Sequence, residues 1–302
     1  MRTERQRNAG NNILLKRILV SLGLLAFIRI GTFLPVGGMH QITLSLVKLA
    51  EELGVKFHSN AKVQKIEIDN KKAKSVLVNG KELKADLIVS NMDVVPTYRK
   101  LLPQLKAPEK TLQQERSSSA LIFYWGIKKE FKQLGLHNIL FNEDYKVEFD
   151  HLFKYYSLYN DPTVYINITS KYEKQDAPAG CENWFVMINA PSNKGQNWDE
   201  IIPEARKNIL QKVSRILNQN IEELIEFEEI LEPRTIESKT SSYQGALYGA
   251  ASNNRYAAFL RHPNFHRKID NLFFVGGSVH PGGGIPLCLL SAKIVDDLTP
   301  KA

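Results

Sequence analysis

The segment that most constrains the fold lies near the C-terminus, where a turn rich in glycine and proline separates two apolar stretches. An apolar run ends at Val275, the turn covers residues 276–284, and the stretch beyond it has the composition of a helix. Glycines in such a turn let the backbone approach a flat ligand, because they carry no Cβ. Backbone N–H groups at the start of a helix favour an anion or a polarised carbonyl. We therefore predict a strand–turn–helix unit that binds a ligand.

Three segments of the chain stand out, namely Gly37-Gly-Met39, Ile88-Val-Ser-Asn-Met-Asp93 and Asn271–Ala292, the last containing His280-Pro-Gly-Gly-Gly-Ile-Pro286. Together they resemble the bacterial carotenoid desaturases, which are FAD enzymes of the amine-oxidase-like flavoprotein superfamily. The segments occur in the order found in that family. The resemblance runs from Gly37 onward and corresponds to roughly the last half of a full-length desaturase.

The resemblance implies FAD as cofactor and a set of contacting residues, but it identifies no catalytic residue and no metal site. It implies that the strand holding Val63 passes along the adenine, although Val63 could also be an ordinary core valine. His280 could polarise substrate or flavin, or be a loop histidine with satisfied hydrogen bonds. The implied cofactor-binding residues are Val63, Gly276, Gly277, Pro281, Gly282, Gly283, Gly284, Ile285 and Pro286.

Hydrophobic periodicity predicts the elements of residues 37–93. Apolar residues recur at helical spacing from Met39 to Leu53, and Gly54 is placed to end that helix. Residues 55–58 are predicted as a short strand, and residues 61–68 alternate as a half-buried strand does. A turn at residues 69–71, a returning strand at 75–78 and the turn at Asn79-Gly80 follow. An apolar strand at 85–90 ends the region.

Residues 94–260 are predicted to form a substrate domain built around a sheet. The runs 119–127, 163–168 and 183–189 are rich in β-forming residues and are plausible neighbours in one sheet. They could line a tunnel for substrate or fill a core. Residues 199–217 have helical periodicity, with an acidic N-cap at Asp199. The acidic run 222–229 is interpreted as a solvated face.

Some glycines and histidines in the later part of the chain could contact a ligand or have a purely structural role. Gly245, Tyr248 and Gly249 fit a site where backbone approaches something flat, or a simple surface turn. His262 and His266 are four residues apart, but Pro263 between them argues against one helical face, and the histidines show no metal-ligand spacing.

The first 36 residues differ from the rest of the chain. Basic residues precede an apolar run from Ile18 to Ile28. The sequence from Leu15 to Val36 is similar to the start of the SecY protein-translocation channel. We expect this segment to have no role in desaturase chemistry. A hydrophobic helix here could insert in the membrane, with the basic flank on the cytoplasmic side.

A G-x-G-x-x-G motif, which places a dinucleotide pyrophosphate on a helix N-terminus, occurs nowhere in the chain. The unit that carries it in the resembled family is therefore expected to be missing. Strands predicted at 55–58, 85–90 and 271–275 would then lack partners. We expect low stability and weak FAD affinity.

These patterns together predict an α/β (α+β) fold with four regions. Residues 1–36 form an N-terminal hydrophobic helix, residues 37–93 and 261–302 a partial FAD-binding Rossmann-like domain, and residues 94–260 a mixed-sheet substrate domain. With 43% hydrophobic and 24% charged residues, the chain is globular in composition. Cys181 and Cys288 are too far apart for a CxxC motif and are expected to be buried thiols in a reducing compartment.

The predicted function is FAD-dependent desaturation of a long carotenoid polyene by hydride transfer, in the cytoplasm at a membrane surface. The net charge of +8 fits either a solvated lysine-rich surface or attraction to anionic lipid. Nucleic acid binding is not expected, since the lysines are dispersed. The alternatives are an inactive fragment or chimera without FAD, a carotenoid isomerase or retinol-saturase-like enzyme, and a translocation-related membrane protein. The specific carotenoid and the oligomeric state stay open.

Overall fold

The computed structural model describes residues 33–253 and 260–299, and the chain divides into two compact units, residues 1–57 and 58–302. The predicted N-terminal hydrophobic helix falls mostly outside the described residues. In the first unit, helix α1 spans His40–Glu52, which confirms the predicted helix. Gly54 has φ +84° and its N–H donates to Glu51 O at 2.9 Å, so it ends the helix as predicted.

The strand predicted at residues 55–58 is wrong, because these residues form no strand. A strand requires a partner that accepts and donates its backbone hydrogen bonds. Within the part of the chain that the structure describes, no partner pairs with them. The local apolar pattern of Val55 and Phe57 was therefore insufficient, and both side chains are exposed.

The second unit begins with a three-stranded antiparallel sheet, β1 (Val63–Asp69), β2 (Lys72–Val78) and β3 (Lys81–Lys84). The predicted turns join them. Asn79 and Gly80 both have positive φ, the conformation that Asn-Gly adopts in a tight hairpin. Ile66 of β1 is buried and contributes to the core of this region.

Two short strands, β4 (Ile88–Ser90) and β10 (Leu272–Phe274), form a parallel pair although they are far apart in sequence. Both were predicted, at 85–90 and 271–275. Neither has a second partner strand within the described residues, and Val89 is 43% exposed. The Asn271 side chain joins this pair to β2, since it accepts from Ala73 N at 2.8 Å and donates to Ala73 O at 2.7 Å.

The largest sheet is antiparallel and five-stranded, in the order β6-β7-β8-β5-β9. Its strands are β5 (Ser119–Ile127), β6 (His137–Leu140), β7 (Val164–Asn167), β8 (Glu182–Ala190) and β9 (Ile225–Leu231). The three predicted β-rich runs are β5, β7 and β8, which are neighbours as expected. Ile209 and Val213 of helix α5 (Trp198–Leu217) share one buried apolar cluster with these strands.

The N-cap predicted for α5 is wrong. Asn197 occupies the cap position, and Asp199 lies in the first turn, where it accepts from Arg234 at 2.8 Å. The N-cap therefore lies two residues before the predicted one, and Trp198, the first residue of the helix, is buried and donates its indole N–H to Asn193 at 3.0 Å.

The remaining helices are short except for the last. They are α2 (Val94–Pro96), which continues as a π-helical turn over Thr97–Leu101, α3 (Glu109–Leu112), α4 (Tyr145–Asp150), α6 (Pro233–Thr240) and α7 (Ile285–Leu298). No helix within the described residues combines the length and the apolar character that crossing a membrane requires. Mixed sheets and helices confirm the α/β class, while the domain boundaries stay predictions.

Candidate functional site

The candidate site begins where the two parallel strands end. Val275 N donates to Ser90 O at 3.0 Å, which extends the pairing of β10 with β4 by one residue. Just beyond, Val94 N donates to Ser278 Oγ at 3.0 Å. Ligands of α/β proteins bind outside the carboxyl ends of parallel strands. Residues 276–284, here called the glycine segment, therefore occupy the edge of the sheet where a ligand is expected.

Most glycines in this segment are required by the packing of the chain itself. A Cβ on Gly276 would lie 2.5 Å from Asn91 Oδ1, and one on Gly283 would lie 3.0 Å from Tyr248 Cα. A Cβ on Gly277 would lie 3.2 Å from Gly283 Cα. Gly277 and Gly283 let backbone segments approach one another, and Gly276 makes room for the Asn91 side chain. Both roles differ from the predicted approach to a flat ligand.

Gly284 differs from its neighbours because a Cβ there would meet no atom within 4 Å. It has φ +103° and is the N-cap of α7, and Cys288 N donates to its carbonyl oxygen at 2.9 Å. Pro286 lies in the first turn, where its missing N–H removes no helical hydrogen bond. Ile285 is 58% exposed. The predicted helix start is confirmed, and it opens to solvent.

Side chains from other segments hold the glycine segment in place. His280 and Pro281 are joined by a cis peptide bond, and Asn264 Nδ2 donates to His280 O at 2.9 Å. Gly276 N donates to Ser291 Oγ at 3.1 Å, and Ser291 Oγ also accepts from Asn264 Nδ2 at 2.8 Å. Asn264 and Ser291 are both buried, so this network fixes the turn relative to α7.

Arg261 is buried beneath the glycine segment and has no carboxylate partner among the described residues. Its guanidinium donates to Tyr248 O at 2.9 Å, Gly277 O at 3.0 Å and Ala250 O at 2.7 Å. Burial, together with the charge of Arg116, lowers the pKa of Arg261. Its Nε has no hydrogen-bond partner among the residues that the structure describes. A positive charge that is bound by carbonyl oxygens, with no described carboxylate beside it, therefore lies under the turn, and no sequence pattern indicated it.

Tyr248, Gly245 and Gly249 approach other parts of the chain. A Cβ on Gly249 would lie 2.6 Å from Ser278 Cα, and one on Gly245 would lie 2.4 Å from Pro233 O. The sequence allowed either a close approach or a surface turn, and the structure has the close approach, with protein backbone as the partner.

Val63 lines a cavity to which no residue of the glycine segment contributes. This valine begins β1, is half-buried, and lines the cavity, of about 860 Å³, together with Met92, Lys100 and Arg234. Met92 follows Asn91, the residue that contacts Gly276. The structure therefore brings Gly276, Gly277, Gly282 and Gly283 together, and it places Val63 at a separate cavity that borders the same β4 terminus.

A buried ion pair that sequence reasoning missed joins the end of β4 to β5. Arg116 donates to Asp93 Oδ2 at 2.6 Å, and both side chains are at most 6% exposed. Asp93 also caps α2 by accepting from Val95 N at 2.9 Å. Arg116 lies 5.5 Å from the ring centroid of Tyr243. Asp93 ends one of the three segments that resemble the carotenoid desaturases, but nothing in the sequence indicated that Arg116 is its partner.

His262 and His266, set aside on sequence because of Pro263, both contact the ring of Tyr98, with centroids 5.5 and 6.1 Å away. A loop brings them together where a helix could not. His262 Nδ1 lies 2.7 Å from Pro263 O and must donate to it, so Nε2 accepts from Tyr98 Oη at 3.0 Å. Burial lowers the pKa of His262 to about 4 and raises the pKa of Tyr98 to about 12.

The two cysteines are partly exposed free thiols, whereas buried thiols were expected. Cys288 lies in the first turns of α7, whose outer face is open. Cys181 precedes β8 and lines a small surface cavity. The expectation failed because apolar neighbours in sequence do not establish which face of an element is covered.

Comparison with known proteins gives the family. Residues 8–295 match the family described as flavin containing amine oxidoreductase. The 1-hydroxycarotenoid 3,4-desaturase of Flavobacterium sp. (strain P99-3) is 63% identical over 272 residues, which are 90% of this chain and 56% of that protein. The phytoene desaturase of Fusarium fujikuroi is 31% identical over 289 residues, or 88% of this chain and 51% of that protein. The chain thus spans about half the length of the curated relatives it matches.

Two solved structures show the same fold at low identity. An oxidoreductase from Methanosarcina mazei has a TM-score of 0.59 and 17% identity, and the match covers 86% of this chain and 54% of that chain. A putrescine oxidase variant has a TM-score of 0.51 and 16% identity, with 87% and 53% covered.

The predicted resemblance to carotenoid desaturases, and the flavin that this family uses, are confirmed by these matches. The predicted similarity of residues 1–36 to SecY receives no support from them, since the family match begins at residue 8 and runs through most of that segment. This chain belongs to the family of flavin-containing amine oxidoreductases.

Proposed function

We propose that this chain is part of an FAD-dependent carotenoid desaturase, and that the reaction is 3,4-desaturation of a 1-hydroxycarotenoid. The observation that carries the proposal is the 63% identity to the Flavobacterium 1-hydroxycarotenoid 3,4-desaturase across 90% of this chain. That identity favours desaturation over the isomerase and saturase alternatives. Residues 37–93 and 261–302 are proposed as part of an FAD-binding Rossmann-like domain, with residues 94–260 as the substrate domain.

Two features of the candidate site fit a flavin. The space beyond Gly284 is open where a Cβ would otherwise lie, and Arg261 places a buried positive charge, with no described carboxylate beside it, beneath the turn. A cation favours an anionic group nearby, and its field is weakly screened when it is buried. The residues proposed to contact FAD are Val63, Gly276, Gly277, Pro281, Gly282, Gly283, Gly284, Ile285 and Pro286.

FAD, when bound, supplies the oxidising chemistry by accepting hydride from the polyene. The chain's own part is orientation and electrostatics. The N–H groups in the first turn of α7 would hold the polar edge of the flavin, and the positive end of the helix dipole would favour negative charge there. Arg261 holds Gly277 O and Tyr248 O, so it positions the turn while adding to the positive potential.

The proposed substrate is a long apolar molecule, so we propose that the protein meets it at a membrane surface in the cytoplasm. The net charge of +8 favours attraction to anionic lipid. Apolar side chains on α7 provide surface for a polyene or for further protein, since Ile285, Leu287 and Leu289 are all at least 40% exposed.

The first test is the visible absorption spectrum of the purified chain with and without added FAD. Flavin bands that co-elute with the protein would support the proposal. An Arg261→Gln variant should then hold flavin more weakly, while Arg215→Gln, which removes the same charge from an exposed position of α5, should not. A protein that stays colourless in excess FAD would instead favour the alternative of an inactive fragment.

The second test separates the reaction types. The chain is expressed in cells that accumulate a 1-hydroxycarotenoid, and the products are analysed by mass. Desaturation removes two hydrogens, isomerisation leaves the mass unchanged, and saturation adds hydrogens. A product of unchanged or greater mass would refute the proposed reaction while leaving flavin binding intact.

A further inference from the structure

A second cavity, of about 470 Å³, lies beside β10. It is formed by Tyr98, Thr111 and two segments, residues 104–108 and 262–268 apart from Asn264. His266 N donates to Leu272 O at 2.9 Å, so the cavity borders the start of β10, and His262 O accepts from His280 N at 2.9 Å, so one wall adjoins the glycine segment. We call it the basic cavity, and the proposed function makes no use of it.

The charges around the basic cavity are of one sign. Lys106, Arg267 and Lys268 line it, and no carboxylate does so among the described residues. None of the three forms an ion pair with a described carboxylate. Glu109, the acidic residue on the neighbouring helix α3, is held by Arg99 at 2.6 Å. Three cations in one concave surface therefore remain uncompensated.

Burial is the main cause of the lowered pKa of both histidines, and neighbouring positive charges act in the same direction. Burial, together with the charge of Lys268, lowers the pKa of His266. Burial lowers the pKa of His262 to about 4, and the charges of His266 and Arg267 act in the same direction. Since His266 Nδ1 accepts from Lys268 N at 3.1 Å, the neutral ring carries its proton on Nε2 and can donate a hydrogen bond.

The rest of the lining is apolar or aromatic. Tyr98 is buried against Phe274, with ring centroids 5.9 Å apart, and Phe265 is 43% exposed at the rim. Leu105 and Pro108 complete the opposite wall. A cavity of several hundred Å³ with apolar walls and a few convergent polar groups has the character of a small-molecule site.

We propose that the basic cavity binds a phosphate-bearing ligand whose remaining part is flat or apolar. Lys106, Arg267 and Lys268 supply charge-assisted hydrogen bonds to the phosphate, and Tyr98 and Phe265 contact the organic part. Both a soluble phosphomonoester and a phospholipid headgroup carry this chemistry, and the experiment distinguishes them.

The test is isothermal titration calorimetry of the full chain with phenyl phosphate at low ionic strength. The double variant Arg267→Gln/Lys268→Gln should bind about tenfold more weakly or worse, because two charge-assisted contacts are lost. The matched control Lys72→Gln/Lys81→Gln removes the same charge from exposed positions of the β1–β3 sheet and should bind like the unmodified chain. Circular dichroism establishes that each variant is folded.

Sedimentation with vesicles identifies the source of the phosphate. Vesicles of phosphatidylcholine alone are compared with vesicles that contain phosphatidylglycerol. A lipid headgroup is indicated when anionic vesicles bind the chain, phenyl phosphate competes, and the Arg267/Lys268 variant loses binding. A soluble ligand is indicated when phenyl phosphate binds and the vesicles do not compete with it.

Two results would overturn the proposal. One is that phenyl phosphate fails to bind the unmodified chain, and the other is that both double variants lose affinity equally, which would indicate a nonspecific effect of net charge. Lys106→Gln, on a different segment of the wall, gives an independent variant if the double substitution does not fold. It should weaken phenyl phosphate binding in the same direction.

Discussion

The five-stranded sheet and the β4–β10 pair are held together in different ways. In the sheet, Trp125, Trp184 and Trp198 are each 1% exposed and belong to one continuous apolar cluster. The parallel pair has only two short strands in the described residues, and side chains such as Asn271, Asn264 and Arg261 bind backbone groups around it. Apolar burial contributes to both regions, since Ile88, Leu272 and Phe274 belong to a second buried cluster. Around the parallel pair, directional contacts from polar side chains to backbone add to that burial.

This difference has a functional meaning under the proposed function. Burial of apolar area is non-directional, so a sheet held in that way tolerates exchange of one apolar side chain for another of similar volume. Hydrogen bonds from side chains to backbone are directional, so they can fix a turn at a defined position. The polar region is the one that carries the candidate flavin site.

The largest expected effect tests the polar contacts directly. Arg116→Ala leaves Asp93 buried without its charged partner, and we expect a loss of about 3–5 kcal/mol in the free energy of unfolding. Urea denaturation measures it. The control is Arg99→Ala, which breaks the exposed pair with Glu109 and should cause no measurable loss. Equal losses for the two variants would contradict the assigned role of the buried pair.

The next effect is a pH dependence of the free energy of unfolding, caused by His262, which packs against Phe274 of β10. Because His262 has a native pKa of about 4, below its unfolded value, the unfolded state binds more protons as the pH falls from about 6.5 to about 4. Stability should therefore decrease across that window, by roughly 3 kcal/mol at most for this group. Denaturation measured at several pH values tests this.

The variant His262→Phe should have a smaller pH dependence in that window than the unmodified chain. Above pH 7 the histidine is neutral in both states, so the two slopes should agree there, which serves as the internal control. If the variant kept the same change of stability with pH between about pH 4 and about pH 6.5, the assignment to His262 would be refuted.

A smaller effect concerns the packing of the glycine segment. Gly283→Ala places a Cβ 3.0 Å from Tyr248 Cα, so the backbone must move, and we expect a loss of about 1–3 kcal/mol. Gly135→Ala is the control, since a Cβ there meets nothing within 4 Å. Thermal melting of both variants is the measurement. The interpretation of the segment as closely packed against residue 248 fails if Gly283→Ala melts like Gly135→Ala.

The smallest effect compares one asparagine from each region. Asn271→Ala removes hydrogen bonds to both backbone groups of Ala73, and should cost about 1–2 kcal/mol. Asn138→Ala removes contacts with the exposed backbone of Gly135, which can bind water instead, and one longer bond of 3.2 Å to Ile166 O. We expect the first substitution to lower the midpoint of urea denaturation more than the second. The reverse order would contradict the larger contribution of polar contacts around the β4–β10 pair.

Local patterns predicted most of the elements. Alternation and β-forming residues located β1, β5, β7 and β8, and helical periodicity located α1 and α5, because each pattern depends only on neighbouring residues. The strand expected at 55–58 shows the limit of this reasoning. Its apolar residues fit a strand, but a strand exists only when another segment pairs with it.

The candidate site was predicted only in part. The turn at residues 276–284 and the helix start at Gly284 followed from glycine, proline and the apolar run around them. The actual neighbours of the glycines, such as Asn91 and Tyr248, could not be predicted, because no periodic pattern relates segments so distant in the chain. The same is true of Arg261, an arginine whose burial has no local signal.

The sequence by itself determined the family, the flavin that the family uses, and the turn that opens α7, since these depend on residue types in a fixed order. The tertiary structure alone decided which segments meet: β4 with β10, Arg116 with Asp93, and both His262 and His266 with Tyr98. The physical reason is that local conformation is set by neighbouring residues. Contacts between distant segments instead depend on how the whole chain buries its apolar surface and satisfies its buried polar groups.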